Sequence, residues 1–376
     1  MNKREKKRRR DILKTRRRAI TRRRVKKVLP KPRPKKTHLP PFGIPSQPAR
    51  RPEQLSAPKD FRLLKNTEEC VDFFKKIRAR KKAVADNNNN LVVRVDLSGV
   101  EHIDFASTMM LDAICEELAA ASPVCHVIGD SPRNDHCRQY LLDSGFLNNK
   151  YDEHGRKYPD VGHSANIKIE RGHTKLTDED VMRVVEIEKR ICNHVTGSSG
   201  KMFRHIEMIK EICGNTVDWS GAVRDQWIYG TKFEDGKVIV VALDLGKGIL
   251  ESISRKFAVL LQDLIEQNSH MEILEGAFNK KYGSKSGKPN RNKGLPSIKY
   301  ANEKGCIKDL VVITNNVTLD FTDSRNSCKF VTNKNRGFMG TLYSWRIDAD
   351  CYQNTSVKIY RTKKLNNGSR VTGSAI

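Results

Sequence analysis

The sequence predicts an α/β protein, and three observations carry that expectation. Short β-branched runs such as "NNLVVRVDL" and "GKVIVVALDLG" alternate with longer segments of helical apolar spacing. Clusters of Asn, Gly, Asp and Pro separate the two kinds of segment. At 376 residues the chain also exceeds the usual size of one core, so two folded domains flanked by tails are expected.

The first of those tails is an extreme one. Residues 1–36 hold 20 Lys/Arg against only Glu5 and Asp11, a net +18 of the total +27. Frequent prolines follow in "LPKPRPKKTHLPPFGIPSQPARRP" and block regular structure, so residues 1–60 read as a disordered basic arm. Such a block suits a nucleic acid or another polyanion, because Lys and Arg release condensed counterions from phosphates. A charge run specifies no partner, however, and targeting or plain solubility accounts for it equally.

From 61 to 165 strands and helices alternate. "FRLLKNTEECVDFFKKIRARKK" has helical spacing in its middle, and "NNLVVRVDLSGV" is a strand after an Asn-rich turn. "DFASTMMLDAICEELAAA" is a helix capped by Asp104, Ser107 or a neighbour. "PVCHVIGD" is a buried strand and "SPRNDHCRQYLLDSGF" another helix. A second domain spans 170–351. "LTDEDVMRVVEIEKRICNHV" opens with Thr177 and an acidic first turn, which suits a long amphipathic helix. "KMFRHIEMIKEICGNTVDWSGAV" is a second helix, and "DQWIYGTKFED" with "GKVIVVALDLG" forms a hairpin. A helical "ILESISRKFAVLLQDLIEQ", a polar loop at 279–294 and a short helix in "LPSIKYANEKG" come next. "DLVVITNNVTLDF", "SCKFVT" and "FMGTLYSWRID" supply antiparallel strands, and 352–376 is a basic tail.

Nine cysteines show no CxxC pair and several sit in apolar runs, which reads as reduced thiols in a cytoplasmic protein. No apolar stretch approaches the ~18 residues that span a bilayer. The N-terminus lacks the apolar segment of a secretory signal.

The stretch most suggestive of chemistry is "VALDLGKGI", which ends in Asp244, Gly246 and Gly248. Glycine permits positive φ and close backbone approach, so this segment either turns a strand or leaves room for a ligand. On the preceding helix, "EICGNTVDWS" sets Glu211 and Asn215 four apart on one face, with Asp218 on the adjacent stripe. Glu can polarise or accept a proton from water, and an Asn oxygen can ligand Mg²⁺ that also holds phosphate oxygens. A polar helix face meeting solvent is the plain alternative.

The order of these pieces is E-x-x-x-N-x-x-D, then D-x-G-x-G-I, then a Gly/Lys/Asn loop with "KGL", then "GT" in a strand. Over roughly residues 175–350 that succession resembles the GHKL ATPases, the gyrase-type, chaperone, mismatch-repair and histidine-kinase ATP-binding domains. The resemblance implies a Bergerat-type α/β sandwich, a mixed antiparallel sheet with helices on one face, and ATP with Mg²⁺ as ligands. Asn215 would then ligand Mg²⁺, Glu211 would orient the attacking water, and Asp218 would join the ATP-binding set. Asp244 would accept from the adenine amino group, with Thr341 sharing that contact through water. Gly246 and Gly248 would let backbone pass close to the nucleotide. Gly294 would belong to the lid over the phosphates, with Lys288, Arg291 and Lys293 as phosphate partners. That lid reads "NRNKGL", with Asn290 and Asn292 where the family has glycines.

Upstream, "VRVDLSGVEHIDFASTMMLDAI" resembles the STAS domains of anti-sigma-factor antagonists. The phosphoacceptor Ser of that family would follow Asp104, where this chain has Phe105, so the resemblance implies a docking or regulatory module serving a protein partner or a dimer. Together the two resemblances imply a Mg-ATP-dependent switch or ATPase regulated through its STAS-like domain. A Ser/Thr protein kinase of the anti-sigma-factor type and a nucleic-acid-binding scaffold with a degenerate ATP site fit the same residues. "GSKSGKPN" is not a P-loop, because three residues rather than four separate Gly283 and Gly287 and Pro289 replaces the Ser/Thr. His205 reads as an ordinary helix residue and a poor phosphoacceptor.

Overall fold

A computed structural model of the chain describes residues 54–86, 91–121, 125–148, 150–152, 154–158, 166–172, 177–216, 227–256, 269–279, 294–330 and 338–353. All of them belong to one compact unit, Pro52–Ile376. The α/β class holds, with parallel strands in the first half and antiparallel strands in the second.

In the first half, β1 (Gln54–Ser56), β3 (Leu91–Asp96) and β5 (Cys125–Asp130) form a parallel sheet in the order β1-β3-β5. A two-stranded parallel pair joins β2 (Asp60–Phe61) to β4 (His102–Ile103). Residues 54–60, assigned to the arm from sequence, therefore enter the fold. Only Leu55 is apolar in β1, so no period shows there. The strand is held by ladder bonds and by Gln54 Nε2 and Ser56 Oγ, which donate to Asp96 at 2.7 and 3.1 Å. Helices α1 (Thr67–Asp86), α2 (Phe105–Ala121) and α3 (Asp135–Asp143) follow the expected stretches.

In the second half, seven strands pair antiparallel throughout in the order β11-β10-β9-β12-β8-β7-β6. They are β6 (Ile167–Gly172), β7 (Trp227–Glu234), β8 (Lys237–Asp244), β9 (Lys308–Asn315), β10 (Val317–Asp320), β11 (Cys328–Lys329) and β12 (Phe338–Asp348). The expected hairpin closes at Gly236, where φ is +65°. Helices α4 (Asp178–Thr196), α5 (Phe203–Asn215), α6 (Ile249–Lys256), α7 (His270–Phe278), α8 (Gly294–Glu303) and α9 (Ala349–Gln353) complete the unit. Thr177 and Asp180 form a reciprocal capping box at the start of α4, as its acidic first turn suggests.

Alternation along β8 decides how the layers meet. Val238, Val240 and Ala242 share a core with Ile187 and Ile191 of α4, Ile209 and Ile212 of α5, and Ile298 of α8. Val241 and Leu243 point the other way and share a core with Phe74 and Ile77 of α1 and Met109 and Met110 of α2. The seven-stranded sheet is thus covered on both faces, where a sandwich with helices on one face was expected. Gly230 lets α2 approach, since a Cβ there would collide with Met109. Arg171 of β6 pairs with Asp112 of α2 at the same junction.

Candidate functional site

The site grows from the ends of three neighbouring strands. Thr341 of β12 is in register with Asp244 of β8 on one side and Thr314 of β9 on the other. By the two-residue period, all three side chains lie on the face packed by α4, α5 and α8. All are buried, Asp244 to 4% and Thr314 to 0% exposure. Thr314 Oγ1 donates to Gly340 O at 3.0 Å and stands 3.3 Å from Thr341 Oγ1. Gly246 N–H donates to Asp244 Oδ1 at 2.7 Å.

Burial pushes the Asp244 carboxyl up to about 7, against the Gly246 N–H, Thr341 and the Arg78 charge, which all favour ionisation. Burial and the neighbouring Asp244 charge likewise push the Tyr343 hydroxyl up. A buried carboxyl with a raised pKa and no bonded cation among the described residues is a functional-site candidate.

The turn after Asp244 is built around its glycines. At Gly248, φ is +81°, and a Cβ there would lie 2.5 Å from Asn315 Oδ1 and 2.8 Å from Thr314 Oγ1. The space this glycine leaves is therefore filled by side chains of the protein itself. Asn315 Nδ2 donates to Lys247 O at 2.9 Å, while its Oδ1 accepts from Leu250 N–H at 3.0 Å. Thr314 Oγ1 accepts from Ile249 N–H at 2.9 Å. Gly340, at φ +126°, presses on the Asp244 carbonyl so closely that any Cβ would overlap it. Sequence reading missed Thr314 and Asn315. The signal was the doubled Asn at the end of a strand: Asn315 has φ +53°, a conformation Asn tolerates better than most residues.

The second cluster sits on α5. Glu211 and Asn215 do share a helix face, and Gly294, the first residue of α8, fits directly against them. A Cβ on Gly294 would lie 2.8 Å from Asn215 Nδ2 and 2.9 Å from Glu211 Oε2. Glu211 is exposed as a residue, yet partial burial of its carboxyl raises its pKa, Lys210 opposing and Glu207 adding to the rise. Thus Glu211, Asn215 and Gly294 form one group, and Asp244, Gly246, Gly248 and Thr341 a second, on the same face of the sheet. Asp218, Lys288, Arg291 and Lys293 lie outside the described residues, as do Asn290 and Asn292. Among the described residues there is no cluster of three His, Cys, Asp or Glu able to hold a metal alone. Asn215 still offers one amide oxygen, which suits Mg²⁺, an ion that commonly takes few protein ligands and completes its shell with water and phosphate.

His205 is more than an ordinary helix residue. It is fully buried, and Trp345 Nε1 donates to its Nε2 at 3.1 Å. The proton therefore sits on Nδ1 and faces Glu188 Oε2. Glu188 also accepts from Met202 N–H at 3.0 Å and Tyr352 O–H at 2.6 Å. This buried network ties α4, α5, β12 and α9 together, and both ring nitrogens of His205 are engaged.

In the first half, Asp104 caps α2 through Oδ1, which accepts from Ser107 N–H at 2.7 Å. The Ser107 and Thr108 hydroxyls donate back to Asp104 O at 2.9 and 3.0 Å, and both residues are buried. Neither hydroxyl is presented for modification. Set against protein-family models, curated proteins and solved structures, the chain gives no match.

Proposed function

We propose that the second half of the chain binds ATP with Mg²⁺ and works as a nucleotide-dependent switch or ATPase. The observation that carries this reading is Asp244, a buried carboxyl on a polar row across three strand ends, with no cation bonded to it among the described residues. A group so placed can accept a hydrogen bond from the exocyclic amino group of adenine, with Thr341 beside it. Asn215 would hold Mg²⁺, which in turn would neutralise phosphate charge. Glu211, its pKa raised by partial burial, would orient and deprotonate water for in-line attack. The N–H groups at the start of α8, beside both residues, favour an anion. The basic excess of residues 1–36 supports contact with a polyanion as a separate property of the arm.

Calorimetric titration with ATP, with and without Mg²⁺, tests the reading. Wild type is expected to bind, and Asp244→Asn, which turns an acceptor toward the amino group into a mixed donor, to lose at least about tenfold in affinity. Equal affinity of the two proteins would remove Asp244 as the base reader.

A further inference from the structure

The turn that follows Asp244 is held from two sides. From the sheet side, Asn315 and Thr314 bond Lys247 O, Leu250 N–H and Ile249 N–H. From the opposite side comes Arg78 of α1, whose Nη2 donates to Leu245 O at 2.8 Å, across 167 positions of sequence. Leu245 is the residue next to Asp244, and its side chain packs in the core of the first half.

Arg78 is itself fixed. Its Nε and Nη2 fork onto the two carboxylate oxygens of Glu117 on α2 at 2.7 and 2.9 Å. Lys81 Nζ bonds the same carboxylate at 2.7 Å. Arg78 and Glu117 are largely buried, with side chains 18% and 14% exposed. The two cations hold the Glu117 carboxyl below its ordinary value although burial opposes them. A guanidinium held bidentately in this way is oriented as well as charged. Lys81 shares the anchor, but among the described residues it bonds Glu117 alone.

Resting on the reading that ATP binds here, we propose that Arg78 is a positioning residue of the nucleotide site. Through Leu245 O it sets the turn that carries Asp244, so that the first-half helices α1 and α2 control affinity for the base and not for the phosphates. The groups acting on the Asp244 carboxyl are Arg78 from α1, Gly246 N–H from the turn and Thr341 from β12, with Tyr343 of β12 close by. Arg78 is the cation of this set. Its removal weakens the ionised form, which is the form that accepts more strongly from an amino group.

The test uses the full chain, titrated calorimetrically with Mg-ATP and, separately, with Mg-tripolyphosphate between pH 5.5 and 8.5. Wild-type affinity for ATP is expected to rise with pH through about 7, where Asp244 ionises. Arg78→Met is expected to weaken ATP about tenfold at neutral pH and to move that midpoint upward, with tripolyphosphate unchanged. Arg78→Lys, which keeps the charge but loses the fork, is expected to restore part of the affinity and most of the midpoint. Lys59→Met, which removes an exposed cation paired with Glu101 outside this network, is expected to match wild type for both ligands. An Arg78→Met protein that binds ATP like wild type with the same midpoint overturns the proposal. So does one that loses both ligands together while Arg78→Lys does the same, since Arg78 would then only hold the fold. Wild type that binds tripolyphosphate but not ATP at any pH overturns the base-reading role of Asp244 and this proposal with it.

Discussion

Asp244 gives the sharpest expectations at the scale of single residues. Its folded-state pKa, about 7, lies above its unfolded value of 3.8. The stability contributed by keeping this carboxyl protonated is therefore fully present below about pH 4 and is lost as pH rises through about 7. Asp244→Asn removes that loss. Its melting temperature is expected to exceed that of wild type at pH 8 and to equal it near pH 4, as thermal unfolding without ligand will show. A variant no more stable at pH 8 would mean that the carboxyl is not held in a dry site. The sequence made Asp244, Gly246 and Gly248 legible because a strand, a carboxylate and two small residues fall in one short run. The meeting of Thr314 and Asn315 with this turn was illegible for the opposite reason. They lie some 65 positions further on, and only the β8–β12–β9 register brings them to Gly248.

At the scale of elements, the pair on α5 separates binding from turnover. Asn215→Ala is expected to abolish Mg²⁺-dependent ATP binding, while Glu211→Ala spares binding and removes phosphate release. Undiminished phosphate release by Glu211→Ala would sink its assignment as the group that activates water. That these two residues share a face was legible from their spacing, which any helix enforces. That Gly294 seats on them was not legible, since helix pairing leaves no local period. Among the elements that escaped notice, two did so for local reasons that are easily named. β6 is short and mixes Ile with Lys, Glu and Arg, so its alternation resembles a loop. α7 carries a capping box, Ser269 with Glu272, that was readable in "SHME" but was hidden by the apolar segment before it.

For the whole molecule, the two halves share a core. Ile228, Val241, Leu243, Ile313 and Leu342 of the antiparallel sheet are buried in the core that α1 and α2 share. A fragment starting at residue 166 would expose this apolar face to water, and it is expected to be insoluble or to bind a hydrophobic dye where the full chain does not. A soluble, monomeric fragment with native melting would contradict this. The basic arm behaves differently because its charge is local. Deleting residues 1–36 is expected to weaken binding to a polyanion such as heparin and to flatten its dependence on salt, and unchanged affinity would show that the arm is not the contact. The boundary between arm and fold was read seven residues late, because ladder bonding rather than hydrophobic period makes β1.

Among the described residues, the order β11-β10-β9-β12-β8-β7-β6 also decides which strands end the sheet. One flank is β11, two exposed residues including Lys329, and the other is β6, which sets Lys168, Glu170 and Arg171 along its length. Brief or charged border strands are poor templates for the ladder of another molecule. Stacking border to border into fibres is thereby discouraged, and a second copy of the chain would have to dock by its side chains rather than by extending this sheet.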